Sequence, residues 1–437
     1  MNTSSTKYTD AGRWATLVAM VNPRLLLALV CAVGCTALTD PTPDPFAGCY
    51  DRSCADTPQL VAGLPALVSI TSKFDHTCGL TAAGEAWCWG VNTFGQLGDG
   101  SADARNAPVK VAGSVRFTSV SVGAQTSCGL GTDGTMYCWG SATWGILGPT
   151  PLDSAPTNDA FACGAPFIDR EGRVARIPCA RAPYAVAGGI KAIAAGLRHV
   201  CALDTSGVAT CWGLNSYGEV GRPSLDFIYT APQQVPGSHS FASIYAGDSF
   251  TCGLTTDARA WCWGVGDRGQ LGDVAPLCKT LGPFETFCTP TPLAVRDGAA
   301  YSALSLGAAR ACATTGDGTA HCWGYGTGPF NSANNPARAQ TIEAGMKFTV
   351  IHDASSGATC GTPMTGASVC WGINVFGRLG VGQRAEVVGR PTPIVGGRRF
   401  VAFASGSEHV CALTADGATY CWGSGRYGQL GAGARQP

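Results

Sequence analysis

Twenty-two of the 437 residues are cysteine, and most of them fall in one spacing. A cysteine, nine residues and then Cys-Trp-Gly occur at Cys78 and Cys88, Cys128 and Cys138, Cys201 and Cys211, Cys252 and Cys262, Cys312 and Cys322, Cys360 and Cys370, and Cys411 and Cys421. Thiols in such number do one of two things: they bind metal as thiolates or they oxidise in pairs. Zinc knuckles draw their cysteines from positions separated by about two to four residues, so this wider, uniform gap argues against them. Paired oxidation in an oxidising compartment fits instead. Cys163 with Cys179, Cys278 with Cys288 and Cys49 with Cys54 are further candidate pairs.

Other reactive types are sparse. His76, His199 and His409 stand two residues before the first cysteine of their units, but the other units have Thr126, Phe250, Arg310 and Ala358 there. A metal role is therefore not expected of them, and a hydrogen bond to a loop is. Thr132-Asp133-Gly134-Thr135 followed by Trp139 is faintly similar to the Asp-box of sialidase-type propellers, with a different Asp-to-Trp spacing. No Gly-x-Ser-x-Gly, His-Glu-x-x-His or phosphate-cradling loop occurs. No catalytic residue, metal site or cofactor is expected, and the chain reads as a binding protein, not an enzyme.

What positions the cysteines is a hairpin. In Cys78 to Cys88 a three-residue loop, Ala82 to Gly84, pairs Thr81 with Glu85 and, three steps outward, Cys78 with Cys88. Such loops end on a residue at positive φ, where glycine costs least. Gly84, Gly134, Gly207, Gly318, Gly366 and Gly417 occupy that place, and Ala258 is the exception. Alternation makes the cysteine pair a non-hydrogen-bonded one, with Cα atoms ~4.5 Å apart. The residue after the first cysteine is always Gly or Ala, which is expected to leave room for the indole of Cys-Trp-Gly.

After each hairpin comes a loop of the form Asn92-Thr93-Phe94-Gly95-Gln96-Leu97-Gly98, eroded in the fifth unit at Tyr325 to Phe330. A Pro-led strand such as Pro108 to Val111 follows, and another short strand, such as Phe117 to Val122, leads into the next hairpin. Four short strands per unit make the blade of a propeller, and seven units make an all-β, seven-bladed β-propeller. The last unit lacks its Pro-x-Val strand, while Pro58 to Gly63 is a stray copy of it, so the ring is expected to close by pairing the two ends.

These motifs, Cys-x9-Cys-Trp-Gly followed by Asn-x-x-Gly-Gln-Leu-Gly, resemble the regulator of chromosome condensation repeat family over residues 58 to 437. The resemblance implies the seven-bladed fold. Founding members act on a nuclear GTPase and bind chromatin, and other relatives are secreted inhibitors that clamp a β-lactamase on one face. Lys plus Arg equals Asp plus Glu at 29 each, which supplies no field for nucleic acid, and a fold does not fix a function. Nucleotide exchange and glycosidase activity are therefore the weaker readings.

Upstream, Leu25 to Val33 is an apolar run after Arg24, long enough for a signal-peptide core and too short to span a bilayer. Gly34-Cys35 after it resembles the lipobox of bacterial lipoproteins, which implies lipidation of Cys35; a non-lipidated signal peptide is the alternative. Residues 1–35 thus read as an export signal, 36–57 as a Pro/Thr/Asp-rich tether and 58–437 as the propeller. An envelope lipoprotein at the outer membrane or cell surface is expected, monomeric and touching the membrane only through its anchor; full secretion is the alternative.

Long insertions follow the Gly-x-Leu-Gly loops of units two, three and four: Pro149 to Ala182, Arg222 to Ala231 and Asp273 to Thr291. Insertions in repeat proteins tend to share one face. These carry Phe161, Phe167, Phe227, Tyr229, Phe284 and Phe287, the expected contact residues for a protein partner; a surface glycan stacking on the same rings is the alternative.

Overall fold

A computed structural model describes residues 54–148, 162–168, 174–222, 226–279, 285–325, 340–342, 345–354, 357–383 and 385–433. Its strands form seven antiparallel sheets. The first blade shows the plan: Leu67–Lys73, His76–Thr81, Ala86–Gly90 and Arg105–Lys110, paired in chain order. Each first strand packs against the first strand of the next blade all the way round, so these strands surround the axis.

The ring closes as expected. The seventh blade takes its first three strands from Phe400–Ser405, His409–Thr414 and Thr419–Ser424, and its fourth is Cys54–Leu60. This strand begins at Cys54, ahead of the expected boundary at Pro58, because Cys54 and Ala55 already pair with Ser424 and Gly423 before the register shifts. A proline cannot donate to a ladder, and the shift spans Pro58. Cys54 is disulfide-bonded; Cys49 and the proposed lipidation site Cys35 lie outside the described residues.

The hairpin register is as derived. Thr81 N donates to Glu85 O at 3.0 Å, Gly84 N donates to Thr81 O at 2.9 Å, and Cys78 faces Cys88 with Cα atoms 4.1 Å apart. All seven within-unit disulfides form. Cys78 is bonded to Cys88, Cys128 to Cys138, Cys201 to Cys211 and Cys252 to Cys262. Cys312 is bonded to Cys322, Cys360 to Cys370 and Cys411 to Cys421. In the insertions Cys163 is bonded to Cys179 and Cys278 to Cys288. The Cα separation in the hairpins, 4.0 to 4.1 Å, is shorter than the ~4.5 Å of an unbridged non-hydrogen-bonded pair, since the bridge draws the two strands together.

The small residue after the first cysteine serves a different neighbour from the one expected. A Cβ at Gly79, Gly129, Gly253 or Gly361 would meet Leu67, Phe117, Phe241 or Phe348, the lead side chain of the blade's own first strand. That ring in turn packs beside the tryptophan, at 5.8 Å for Phe117–Trp139.

The blades join through the tryptophans. Trp89 Nε1 donates to Gln429 O of the preceding blade, and Trp139 to Gln96 O, Trp212 to Ile146 O, Trp263 to Glu219 O, Trp323 to Gln270 O and Trp422 to Arg378 O, all between 2.7 and 3.0 Å. Every acceptor lies in a Gly-x-Leu-Gly loop, or in its Gly-x-Val-Gly variant for Glu219, so the loop is a clasp closing on the next blade. Its last glycine is fixed by that role: at Gly98, φ is +67° and a Cβ would sit 2.7 Å from Trp139 Nε1. The loop leucines Leu97, Leu271 and Leu379 fill the seams beneath, which is where the core lies.

The first clasp is braced from within. Asn92 Oδ1 accepts from Leu97 N and Gln96 Oε1 from Phe94 N, both at 2.9 Å. In the third blade Glu219 stands in the Gln96 position and accepts from Tyr217 N at 2.7 Å. Burial pushes its carboxyl up from 4.5 to about 8, so the folded protein holds a proton there that the unfolded chain releases. Its contribution to stability is full below pH 4.5 and is lost as pH rises through about 8. Glu219→Gln keeps the acceptor and removes the charge. It is expected to be more stable than the parent at pH 8 by roughly 1–3 kcal/mol and to match it near pH 4, read from urea midpoints; parallel pH profiles would refute this. At Ala258, φ is 64°, and Ala258→Gly is expected to stabilise by about 1 kcal/mol by relieving the left-handed backbone. An unchanged or lowered unfolding midpoint would contradict it.

Candidate protein-interaction face

Antiparallel order places the loops between strands one and two and between strands three and four at one end of every blade. The clasps therefore share an end of the propeller with the loops around its axis. An aromatic side chain precedes the first clasp glycine in five blades: Phe94, Trp144, Tyr217, Phe376 and Tyr427. Arginines lie over the rings at this end. The Arg198 guanidinium is 4.8 Å from the Trp144 centroid, Arg268 is 5.3 Å from Tyr325 and Arg426 is 5.4 Å from Tyr427. Such stacking holds long cations in place by cation–π attraction. The aromatic-glycine pairs were legible as a loop motif, but nothing in the spacing showed that the rings collect on one end.

The expected contact residues divide. Phe227 is 40% exposed and meets Trp144 edge-on at 6.4 Å, and Phe287 is 44% exposed. Tyr229 is half-buried, packing into the cores on both sides of its blade, and its hydroxyl is buried with no hydrogen-bond partner among the described residues. It serves the seams. Phe167 lies in the strand Ala162–Ile168, opposite Ala175; Phe161 and Phe284 lie outside the described residues. The insertions of units two and four contain strand where loops were expected. Ala162–Ile168 and Leu277–Lys279 pair with the leading halves of long fourth strands, Val174–Ala187 and Glu285–Ala294. Those halves run past Ser141 and Val265, where the third strands finish, so both hairpins project at the clasp end. Their disulfides stitch fifth strand to fourth.

At the axis three histidines reach a neighbouring blade through Nε2, while Nδ1 of His76 and of His409 is buried with no hydrogen-bond partner among the described residues. His76 Nε2 bonds Ser127 Oγ at 2.9 Å, His199 Nε2 bonds Thr251 Oγ1 at 2.8 Å and His409 Nε2 bonds Thr77 Oγ1 at 2.9 Å. The partner is thus a hydroxyl on the next blade, not a loop, because the histidine shares a strand face with the cysteine that packs there. Burial lowers all three to about 3, so they are neutral across the physiological range. Among the described residues no group of three or more His, Cys, Asp or Glu is placed to hold a metal ion. Lys73 stands where other blades have Gly123, Gly196, Gly247, Gly307, Ala354 and Gly406. Its Nζ crosses to the fourth blade, donating to Ala246 O at 3.2 Å and Gly247 O at 3.0 Å, with Asp248 at 3.6 Å. The axis is bridged at the clasp end.

Comparison with known proteins agrees with this architecture. Profiles of the regulator of chromosome condensation (RCC1) repeat match residues 83–130 and 370–413, and 67–96, 190–219, 241–270 and 400–429. The ultraviolet-B receptor UVR8 of Arabidopsis thaliana is 26% identical over 251 residues, covering 55% of this chain and 54% of the receptor. The human E3 ubiquitin-protein ligase HERC2 is 28% identical over 259 residues, covering 55% of this chain and 5% of the ligase. The chain thus spans about half the length of the first relative and a small part of the second. Human WBSCR16 superposes with a TM-score of 0.63 at 17% identity, over 84% of this chain and 89% of that one. Prp20p of Saccharomyces cerevisiae gives 0.61 at 18%, over 82% of each chain. With seven blades, the Cys-Trp-Gly hairpin and its clasp, the chain carries regulator of chromosome condensation (RCC1) repeats on the propeller fold of such proteins.

Proposed function

We propose that this chain is an exported, non-catalytic binding propeller that takes a protein partner on its clasp end. One observation carries the reading: every exposed aromatic side chain among the described residues, Phe74, Phe227, Phe287, Tyr325 and Tyr427, is on that end. Aromatic rings interleaved with arginines are the composition of interface hot spots. Clasps pinned by buried asparagines and glutamines, and insertions pinned by disulfides, lower the ordering cost of binding. The solved structure of Prp20p, a propeller of the same fold, was described with its binding to Gsp1p and histones. That precedent supports a protein partner without naming one here.

Export is part of the proposal. Nine disulfides among the described residues favour an oxidising compartment, and the apolar run ending at Gly34-Cys35 supplies the route and a lipid anchor. No helix among the described residues is long and apolar enough to cross a membrane. The expected mature terminus is lipidated Cys35, and Cys35→Ser should move the protein from the detergent phase to the aqueous phase. An N-terminal peptide beginning upstream of Cys35 would count against the anchor.

For the face, a photo-crosslinker at Tyr427 or Phe227 is expected to trap a protein at the cell surface, and one at Met364 or Val401, exposed at the opposite end, to trap none. Replacing Phe227, Phe287 and Tyr427 together with Ser should weaken capture more than 100-fold, since hot-spot residues contribute about 2 kcal/mol or more each, with the unfolding midpoint unchanged. Crosslinks confined to the opposite end, or to glycans, would overturn the reading.

A further inference from the structure

The fifth and sixth blades meet differently from the rest. The fifth clasp is the eroded one in sequence, and Trp371 of the sixth blade is 8% exposed where the other six Cys-Trp-Gly tryptophans are at 0%. The axial position of the fifth blade holds Arg310 in place of histidine. Arg310 reaches into the sixth blade, donating from Nε to Asp353 Oδ1 at 3.1 Å and from Nη2 to Asp353 Oδ1, Ala358 O and Thr359 Oγ1 at 2.6, 2.5 and 2.6 Å. An ion pair, itself buried, thus stands in the seam with the altered clasp.

Above that pair, at the clasp end, is a pocket of about 270 Å³ lined by Arg268, Ala308, Ala309, Arg310, Tyr325, Asp353 and Gly357. It is below the size that takes a whole small-molecule ligand and suits one side chain. Its walls are set before anything binds: Tyr325 N donates to Ala309 O at 2.9 Å, and Arg268 lies over the Tyr325 ring. The lining holds two guanidiniums against one carboxylate, and Asp353 is already engaged by Arg310. Among the described residues Arg310 Nη1 meets no acceptor, and the Arg268 side chain, 55% exposed, has only Asp267 near its Nε at 3.6 Å. The small side chains of Ala308 and Ala309 leave space between the two cations.

We propose that this pocket is an anchor for one carboxylate side chain, aspartate or glutamate, of the protein partner. The proposal rests on the clasp end being the interaction face and names what that face reads. The entering carboxylate accepts from Arg268 and Arg310 in the bidentate manner that guanidinium favours, while its methylene stem lies on Ala308, Ala309 and the Tyr325 edge.

The test needs no partner. Acetyl-glutamate methylamide is titrated into the isotope-labelled full chain and the amide resonances of Ala308, Ala309 and Gly357 are followed, with acetyl-glutamine methylamide as the control. Saturable shifts at these amides are expected, with a dissociation constant on the order of millimolar. The control probe, and the acidic probe on Arg268→Gln, should each bind at least tenfold more weakly; Arg268 is exposed enough for that variant to fold. No saturable shift, or equal shifts from both probes, overturns the carboxylate anchor. That failure is separate from a failure of the interaction face, which the crosslinks at Phe227 and Tyr427 read in other blades.

Discussion

The indole N–H of Cys-Trp-Gly governs the architecture. A buried donor of this kind must be satisfied, and six times over its acceptor is a backbone carbonyl of the preceding blade. A bond to a carbonyl is indifferent to the side chain that carries it. The clasp can therefore present Gln96, Ile146, Glu219, Gln270, Arg378 or Gln429 at the same point and still close. What the bond does demand is geometry. A left-handed glycine must lie beneath the indole, and a leucine, or Val220 in the third blade, must fill the seam. These are the residues that repeat; the one that supplies the carbonyl varies, although it is buried in every clasp named.

Much of this was legible beforehand. The gap between cysteines together with the glycine four residues before the second set the hairpin register, because a three-residue loop ending on that glycine brings both onto the same face, and the orphan strand near Pro58 implied closure by the chain ends. The reason for the small residue after the first cysteine was not legible. It depends on Leu67 and its equivalents, which reach that position from a strand whose register no hairpin motif specifies. Likewise His76 and Ser127 are a blade apart in sequence, so their bond exists only once the ring forms. Tyr229 read as a loop aromatic because nothing in its own segment shows that a neighbouring clasp covers it. Fifth strands in the insertions were hidden for a similar reason: Ala162 to Ile168 has no alternation that distinguishes strand from ordered loop.

The site shows the same division. That aromatic residues accompany the clasp glycines is a sequence fact, but their convergence is a product of antiparallel order, which carries every clasp to one end. The Arg310–Asp353 pair was invisible as such, since the arginine sits in a series of histidines, threonine, phenylalanine and alanine with no common chemistry. Only the next blade supplies its partner.

The closing strand ties Cys54 and Ala55 to Ser424 and Gly423, the longest-range strand pairing among the described residues. Six blades are each complete within a contiguous stretch, so they can form in order as sequence becomes available. The seventh cannot: its fourth strand is synthesised before any of the others and waits for the last three. Because loop-closure entropy grows only with the logarithm of length, holding that strand back costs little more than closing a far shorter loop. The delay has a topological result. Until both ends meet, Thr419–Ser424 in the seventh blade is an open edge with unpaired backbone, and the propeller is a curved stack of sheets free to pair there with another chain. Closure thus makes the molecule one self-contained ring, and it does so in a single late step.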